Sequence, residues 1–220
     1  TMLYDLPTQF DTNCPSNPSR CYTPKNYDNK YRGPISLRNA LAQSINIPAI
    51  KVLYLTGIAD SIRTARNMGI ESLGDANQYG LTLVLGGGEV SPLDMASAYG
   101  VFAAEGIRNT TEKIHRIEDG DGVVLESFVE RPKRVLTENV ARTISDILSD
   151  EDARAPVFGR GSYFLFPRYD VAAKTGTTND YRDAWMVGYT PNLVAAGWVG
   201  NNDNSPMEKK VAGVIVSPLW

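Results

Sequence analysis

Apolar residues recur at helical spacing through the first two thirds of the chain and fall into short strand-like runs in the last third. Ser36 reads as an N-cap, and Leu37, Ala40 and Leu41 follow it on one helical face. Pro48 interrupts this pattern, so the first helix is predicted to end near Gln43–Asn46. A second helix, Pro48 to about Thr56, carries Ile50, Val52, Leu53 and Leu55 and stops at Gly57. A third runs from about Ala59 to Met68 and stops at Gly69. Leu81 to Leu85 is a short apolar segment leading into Gly86-Gly87-Gly88. The clearest helix signal follows. Ser91 is the cap, Pro92 takes the first helical position and Asp94 faces the positive end of the dipole. Met95, Ala98, Tyr99 and Phe102 form its apolar face, and Gly106 ends it.

Residues 113–126 alternate around Asp119-Gly120, a hairpin signal. Thr137 caps a further helix with Val140, Ile144, Ile147 and Leu148 on one side. Residues 1–35 are predicted to be irregular, and residues 150–169 loop-rich. Val171–Thr177, Ala184–Tyr189 and Leu193–Val199 read as three strands, the last two joined tightly by Thr190-Pro191-Asn192. Helices first and an antiparallel meander last predict an α+β fold, an antiparallel sheet flanked by helices.

Composition narrows the function classes. The chain has 220 residues, 22 Lys+Arg against 25 Asp+Glu and a net charge of −3. With no basic block, nucleic acid is not the expected partner. No run approaches 18 apolar residues, so no membrane span is predicted here. A single histidine, His115, excludes a multi-histidine metal site and argues against a histidine triad; no metal or cofactor is expected. Cys14 and Cys21 are either two free thiols or, the preferred reading, a disulfide closing a Pro-rich loop, which needs an oxidising compartment. The chain starts at Thr1 without a signal segment and stops on the apolar Leu219-Trp220, so it is expected to be a piece of a longer protein.

Two short words can carry chemistry. Lys174-Thr175-Gly176-Thr177-Thr178 puts a cation among small hydroxyl residues in an apolar strand. Gly176 would let a ligand backbone lie close, and Thr175 and Thr177 can offer hydroxyls to a carboxylate. By composition alone, an edge strand with an exposed lysine guarding against aggregation is the weightier reading. Ser44-Ile45-Asn46 sits where a helix gives way to Pro48, and its residues can point into one cleft or simply end the helix. Gly86-Gly87-Gly88-Glu89 lacks the partners of a phosphate loop and reads as a chain reversal.

Taken together these residues resemble the transpeptidase domain of the penicillin-binding proteins, whose signatures are S-x-x-K, S-D-N (more loosely S-x-N) and K-T-G. Ser44-Ile45-Asn46 fits the second and Lys174-Thr175-Gly176 the third. Residues 31–50, 83–106 and 173–200 resemble the bifunctional, class A members in order along the chain. No S-x-x-K occurs in the 220 residues.

The resemblance implies a partial penicillin-binding protein/β-lactamase-like fold over residues 1–220. The segment with the nucleophilic serine and the last C-terminal helix would lie outside it. It implies a peptidoglycan DD-transpeptidase that cross-links D-Ala-D-Ala stem peptides through a serine acyl-enzyme and is trapped by β-lactams. The piece alone would be inactive. Ser44 would shuttle a proton, Asn46 orient substrate and the S-x-x-K lysine, and Lys174 polarise Ser44. Thr175, Gly176, Thr177 and Thr178 would bind substrate, with the Thr177 N–H as half of the oxyanion hole. The parent would carry a membrane anchor and a glycosyltransferase domain, and work on the outer face of the cytoplasmic membrane. The rival readings are a non-catalytic wall-binding or scaffolding relative, and a DD-carboxypeptidase or β-lactam hydrolase.

Overall fold

The computed structural model describes residues 1–11 and 13–220. A two-stranded ribbon opens the chain, β1 (Met2–Asp5) pairing antiparallel with β2 (Gly33–Ser36). The sequence pattern predicted no strand here. Each strand is only four residues long, and Pro34 breaks the strand signal although the free edge of a ribbon tolerates it. The Cys14–Cys21 disulfide is formed in the loop between them.

Ser36 caps α1 (Leu37–Ala42) by accepting from the Asn39 N–H. Next come α2 (Asn46–Thr56) and α3 (Ile58–Met68), which stops at Gly69 in the left-handed region. Helix α2 starts two residues before Pro48, because a proline in the first turn gives up only an N–H with no intrahelical partner. Leu81–Leu85 winds into a 3-10 turn that Gly86 ends at φ +100°. Ser91 caps α4 (Pro92–Ala103) through the Asp94 N–H, as its sequence predicts. A short pair, β3 (Ile107–Arg108) with β6 (Lys133–Arg134), frames the expected hairpin of β4 (Arg116–Glu118) and β5 (Val124–Ser127).

Thr137 precedes α5 (Glu138–Ser149) without a side-chain capping bond. The stretch predicted as loop-rich holds α6 (Glu151–Phe158), begun by Asp150 accepting from the Ala153 N–H and containing Pro156. The main sheet is antiparallel in the order β7 (Ala172–Thr177), β8 (Asp183–Thr190), β9 (Leu193–Gly200). A last short helix, α7 (Ala212–Ile215), follows it.

Strand alternation sends side chains to opposite faces and builds two cores. On one face Ala172 and Tyr189 meet Leu148 of α5 and Tyr99 and Phe102 of α4. On the other Ala173, Ala184 and Met186 meet Phe164, Ala212 and Val216, with Trp220 packed alongside. The apolar chain end is thus part of a core, and the Trp220 indole N–H donates to the Ala195 carbonyl at 2.9 Å. Strand β7 is left on the sheet edge, beside the junction of α1 and α2. No helix among the described residues is long and apolar enough to cross a membrane.

Candidate active site

The Ser44–Asn46 word occupies the joint between two helices. Helix α1 closes with the Ser44 N–H on the Leu41 carbonyl and the Ile45 N–H on the Ala40 carbonyl, the paired bonds of a Schellman ending. That ending places one residue in the left-handed region, where glycine is usual. Here it is Ser44, at φ +59°. A serine in this conformation costs about 1–2 kcal/mol. Buried Ile45 pins the joint to Ile35 and Ala40, and α2 begins at once with Asn46. The joint leaves the Ser44 hydroxyl exposed and turned out of both helices.

Lys174 comes to it from across the molecule. Its Nζ donates to Ser44 Oγ at 2.6 Å and to the Thr175 carbonyl at 2.8 Å, a contact between residues 130 apart in sequence. Burial pushes the Lys174 ammonium down to about 8, and the positive charge of Arg154 adds to the effect. Arg154 is itself buried, with its guanidinium 5.0 Å from the Phe164 ring centroid and hydrogen-bonded to the Leu148 carbonyl. An ammonium that releases its proton near neutrality, in contact with a hydroxyl, is equipped to polarise that hydroxyl and pass protons through it.

Ser44, Asn46, Thr175, Thr177 and Thr178 line one open groove of about 1240 Å3. Lys174 is not in its wall; it reaches Ser44 from the strand face turned to the helices. Gly176 is exposed on the same strand, and a Cβ built there would come no nearer than 3.5 Å to Trp185. The fold itself therefore does not demand glycine at that position. The three threonines differ in what else they hold. Thr177 Oγ1 accepts from the Ala212 N–H at 3.0 Å, which leaves its own proton free. Thr178 Oγ1 donates to Asp183 Oδ2 at 2.7 Å and accepts from the Asp183 N–H at 2.9 Å, so this hydroxyl closes the turn into β8. Thr175 has its hydroxyl open to the groove.

The sequence did not single out Lys25, whose carbonyl accepts from Asn46 Nδ2 at 2.9 Å, nor Arg154 and Asp183. Lys25 and Arg154 are joined through backbone carbonyls and Asp183 through the hydroxyl of Thr178, contacts for which a linear pattern carries no signal.

Comparison with known proteins gives the family. Residues 7–219 match the family described as Penicillin binding protein transpeptidase domain. Penicillin-binding protein 1A of Aquifex aeolicus is 36% identical over 205 residues, 90% of this chain and 26% of that protein. Penicillin-binding protein 1A/1B of Bacillus subtilis is 35% identical over 218 residues, 89% of this chain and 23% of that protein. The chain spans about a quarter of the length of these curated relatives. Among solved structures, penicillin-binding protein 1A from Haemophilus influenzae superposes with a TM-score of 0.80 at 24% identity, over 97% of this chain and 36% of that one. PonA1 from Mycobacterium tuberculosis gives 0.83 at 24% identity, over 100% of this chain and 60% of that one. With the serine joint and the lysine strand facing each other across one groove, and a family match from residue 7 to residue 219, this chain belongs to the penicillin-binding protein transpeptidase domain family.

Proposed function

We infer that this chain is the S-x-N and K-T-G bearing part of a class A peptidoglycan DD-transpeptidase. The observation that carries the reading is the 2.6 Å contact of Lys174 Nζ with Ser44 Oγ at the wall of the groove. The nucleophile is a serine of an S-x-x-K segment, which these 220 residues do not contain. Its Oγ attacks the carbonyl carbon of the penultimate D-Ala of a stem peptide. The C–N bond breaks, and terminal D-Ala leaves after taking a proton relayed through Ser44. The amine of a second stem peptide then attacks the ester, forms the cross-linking amide and returns the proton to the serine.

The residues here divide the remaining work. Lys174 supplies positive potential and polarises Ser44, while Asn46 orients substrate and the S-x-x-K lysine. Thr175 and Thr177 receive the terminal carboxylate, with Gly176 and Thr178 completing that wall. Residues two apart share one side of an edge strand. The Thr175 carbonyl meets Lys174 on the open side, which supports reading the Thr177 N–H on that same side as an oxyanion donor. A β-lactam enters as a D-Ala-D-Ala mimic and stays as the acyl-enzyme. The 220 residues alone are inert for want of the nucleophile. The Cys14–Cys21 disulfide fits work outside the cytoplasm. In this reading the parent is anchored at the outer face of the cytoplasmic membrane and carries a glycosyltransferase domain.

A fluorescent penicillin applied to the intact protein tests the reading. Covalent labelling that Lys174→Ala abolishes, with the melting curve retained, is the expected outcome. Full labelling of Lys174→Ala would show that the site lies elsewhere. Rapid release of the label would instead indicate a hydrolase.

A further inference from the structure

Helix α2 has a bare beginning. Its N-cap is Ile45, which has no side-chain acceptor, and the first N–H groups of a helix have no partner inside it. The Ile47 N–H is satisfied from outside, by Asn26 Oδ1 at 3.1 Å. Asn26 is 3% exposed. Its Nδ2 donates to both oxygens of Asp5, at 2.7 and 2.9 Å, and to the Lys30 carbonyl at 2.8 Å. Asp5 is wholly buried and also accepts from the Arg32 N–H at 3.0 Å, with the Arg32 guanidinium 3.8 Å away.

These partners permit one orientation of the Asn26 amide. Turned over, it would set its oxygen against a carboxylate and a carbonyl, and an N–H against the Ile47 N–H. One residue earlier, the Lys25 carbonyl takes the Asn46 side-chain amide. Residues 25 and 26 therefore grip both the side chain of Asn46 and the N–H that follows it. The same joint holds Ser44 in its left-handed conformation, and such strain persists only where surroundings enforce it.

We propose that Asn26, oriented by the buried carboxylate of Asp5, is a positioning residue that keeps Ser44 and Asn46 in register with Lys174. It touches no substrate and acts through the joint alone. Its kinetic consequence rests on the transpeptidase reading; its geometric consequence does not.

Two variants of the intact protein test it by crystal structure and by the rate of acylation with a fluorescent penicillin. Asn26→Ala removes the acceptor from Ile47 and two hydrogen bonds from Asp5. Asp5→Asn keeps an acceptor toward Asn26 and is the gentler change should the first fail to fold. In Asn26→Ala, Ser44 Oγ is expected to move beyond about 3.2 Å from Lys174 Nζ. Acylation is expected to slow by about 10- to 100-fold, the scale of a misplacement of about 1 Å. Asp5→Asn is expected to shift both in the same direction by less. In a Ser44→Ala background the same substitutions should have a smaller further effect, because one of the two groups they position, the Ser44 hydroxyl, is gone.

Retention of the Ser44–Lys174 contact in a folded Asn26→Ala protein, or in Asp5→Asn if only that variant folds, would overturn the proposal. So would equal rate losses with and without the Ser44 hydroxyl. If the wild-type protein takes no label, the transpeptidase reading fails, and the Ser44–Lys174 distance in the variants decides the positioning role by itself.

Discussion

In the proposed reading the chemistry of the groove turns on the charge of one nitrogen. Lys174 titrates at about 8 instead of its ordinary 10.5, first because it is buried and second because Arg154 is near. Below about pH 8 it is an ammonium that can hold a carboxylate and polarise Ser44; above it that charge is lost. Acylation by penicillin is therefore expected to fall on the alkaline side of about pH 8. Arg154→Gln removes the like charge but not the burial, so the fall should move partway toward higher pH. A pH profile of the acylation rate reads this, with melting curves to show that the variant is folded. A fall at the same pH in both proteins would leave Arg154 no electrostatic part. Stability follows the same proton. Between about pH 8 and 10.5 the unfolded chain binds more protons at this lysine than the folded one, so the group's contribution to stability rises with pH across that window. Below the window it opposes folding. None of this could be read from the residue letters: by composition alone an exposed strand lysine was the weightier reading, and the burial and the Arg154 charge that lower its pKa both come from the fold.

At the level of elements, period and punctuation were readable where they agreed. Ser91-Pro92-Leu93-Asp94 and the Leu193–Val199 run carry the signals of a cap and a strand, and the structure forms both, the strand reaching one residue further to Gly200. Helix α6 was hidden because Pro156 and the following Gly and aromatic residues look like loop, whereas Asp150 supplies a cap that starts the helix anyway. The ribbon of β1 and β2 was hidden because its partners are about thirty residues apart and each is too short to show a period. Two residues read alike in sequence, Ser91 and Thr137, differ in the structure. Ser91 accepts from the Asp94 N–H at 3.1 Å, while Thr137 makes no such bond. Ser91→Ala should therefore cost about 1 kcal/mol, the usual worth of a capping hydroxyl. Thr137→Ala should stay within about 0.5 kcal/mol of the wild type, as exposed substitutions do. Urea denaturation midpoints measure both, and equal losses would mean that Thr137 caps α5 in solution.

Across the whole molecule, the site is made where two distant pieces of chain meet. Neither the helical period around Ser44 nor the alternation around Lys174 could bring them together; the family resemblance did, because it carries the topology with it. The same meeting ties the groove to the core beneath it. Helix α7 and Trp220 cover one face of the sheet, and α7 is bonded to β7 through the Thr177 hydroxyl, which accepts from the Ala212 N–H. Thr177 thus has a structural partner that Thr175 lacks, although both face the groove. Thr177→Val leaves the buried end of α7 with an N–H and no acceptor, a loss of about 1–3 kcal/mol. Thr175→Val removes a hydroxyl that only a ligand would use, and should change stability by less than about 0.5 kcal/mol. Both should weaken acylation by a penicillin bearing a carboxylate. Measuring melting temperature and acylation rate on the two variants separates the roles: a stable Thr177→Val protein would mean that α7 is held by its apolar contacts alone, and the groove and the core could then vary independently.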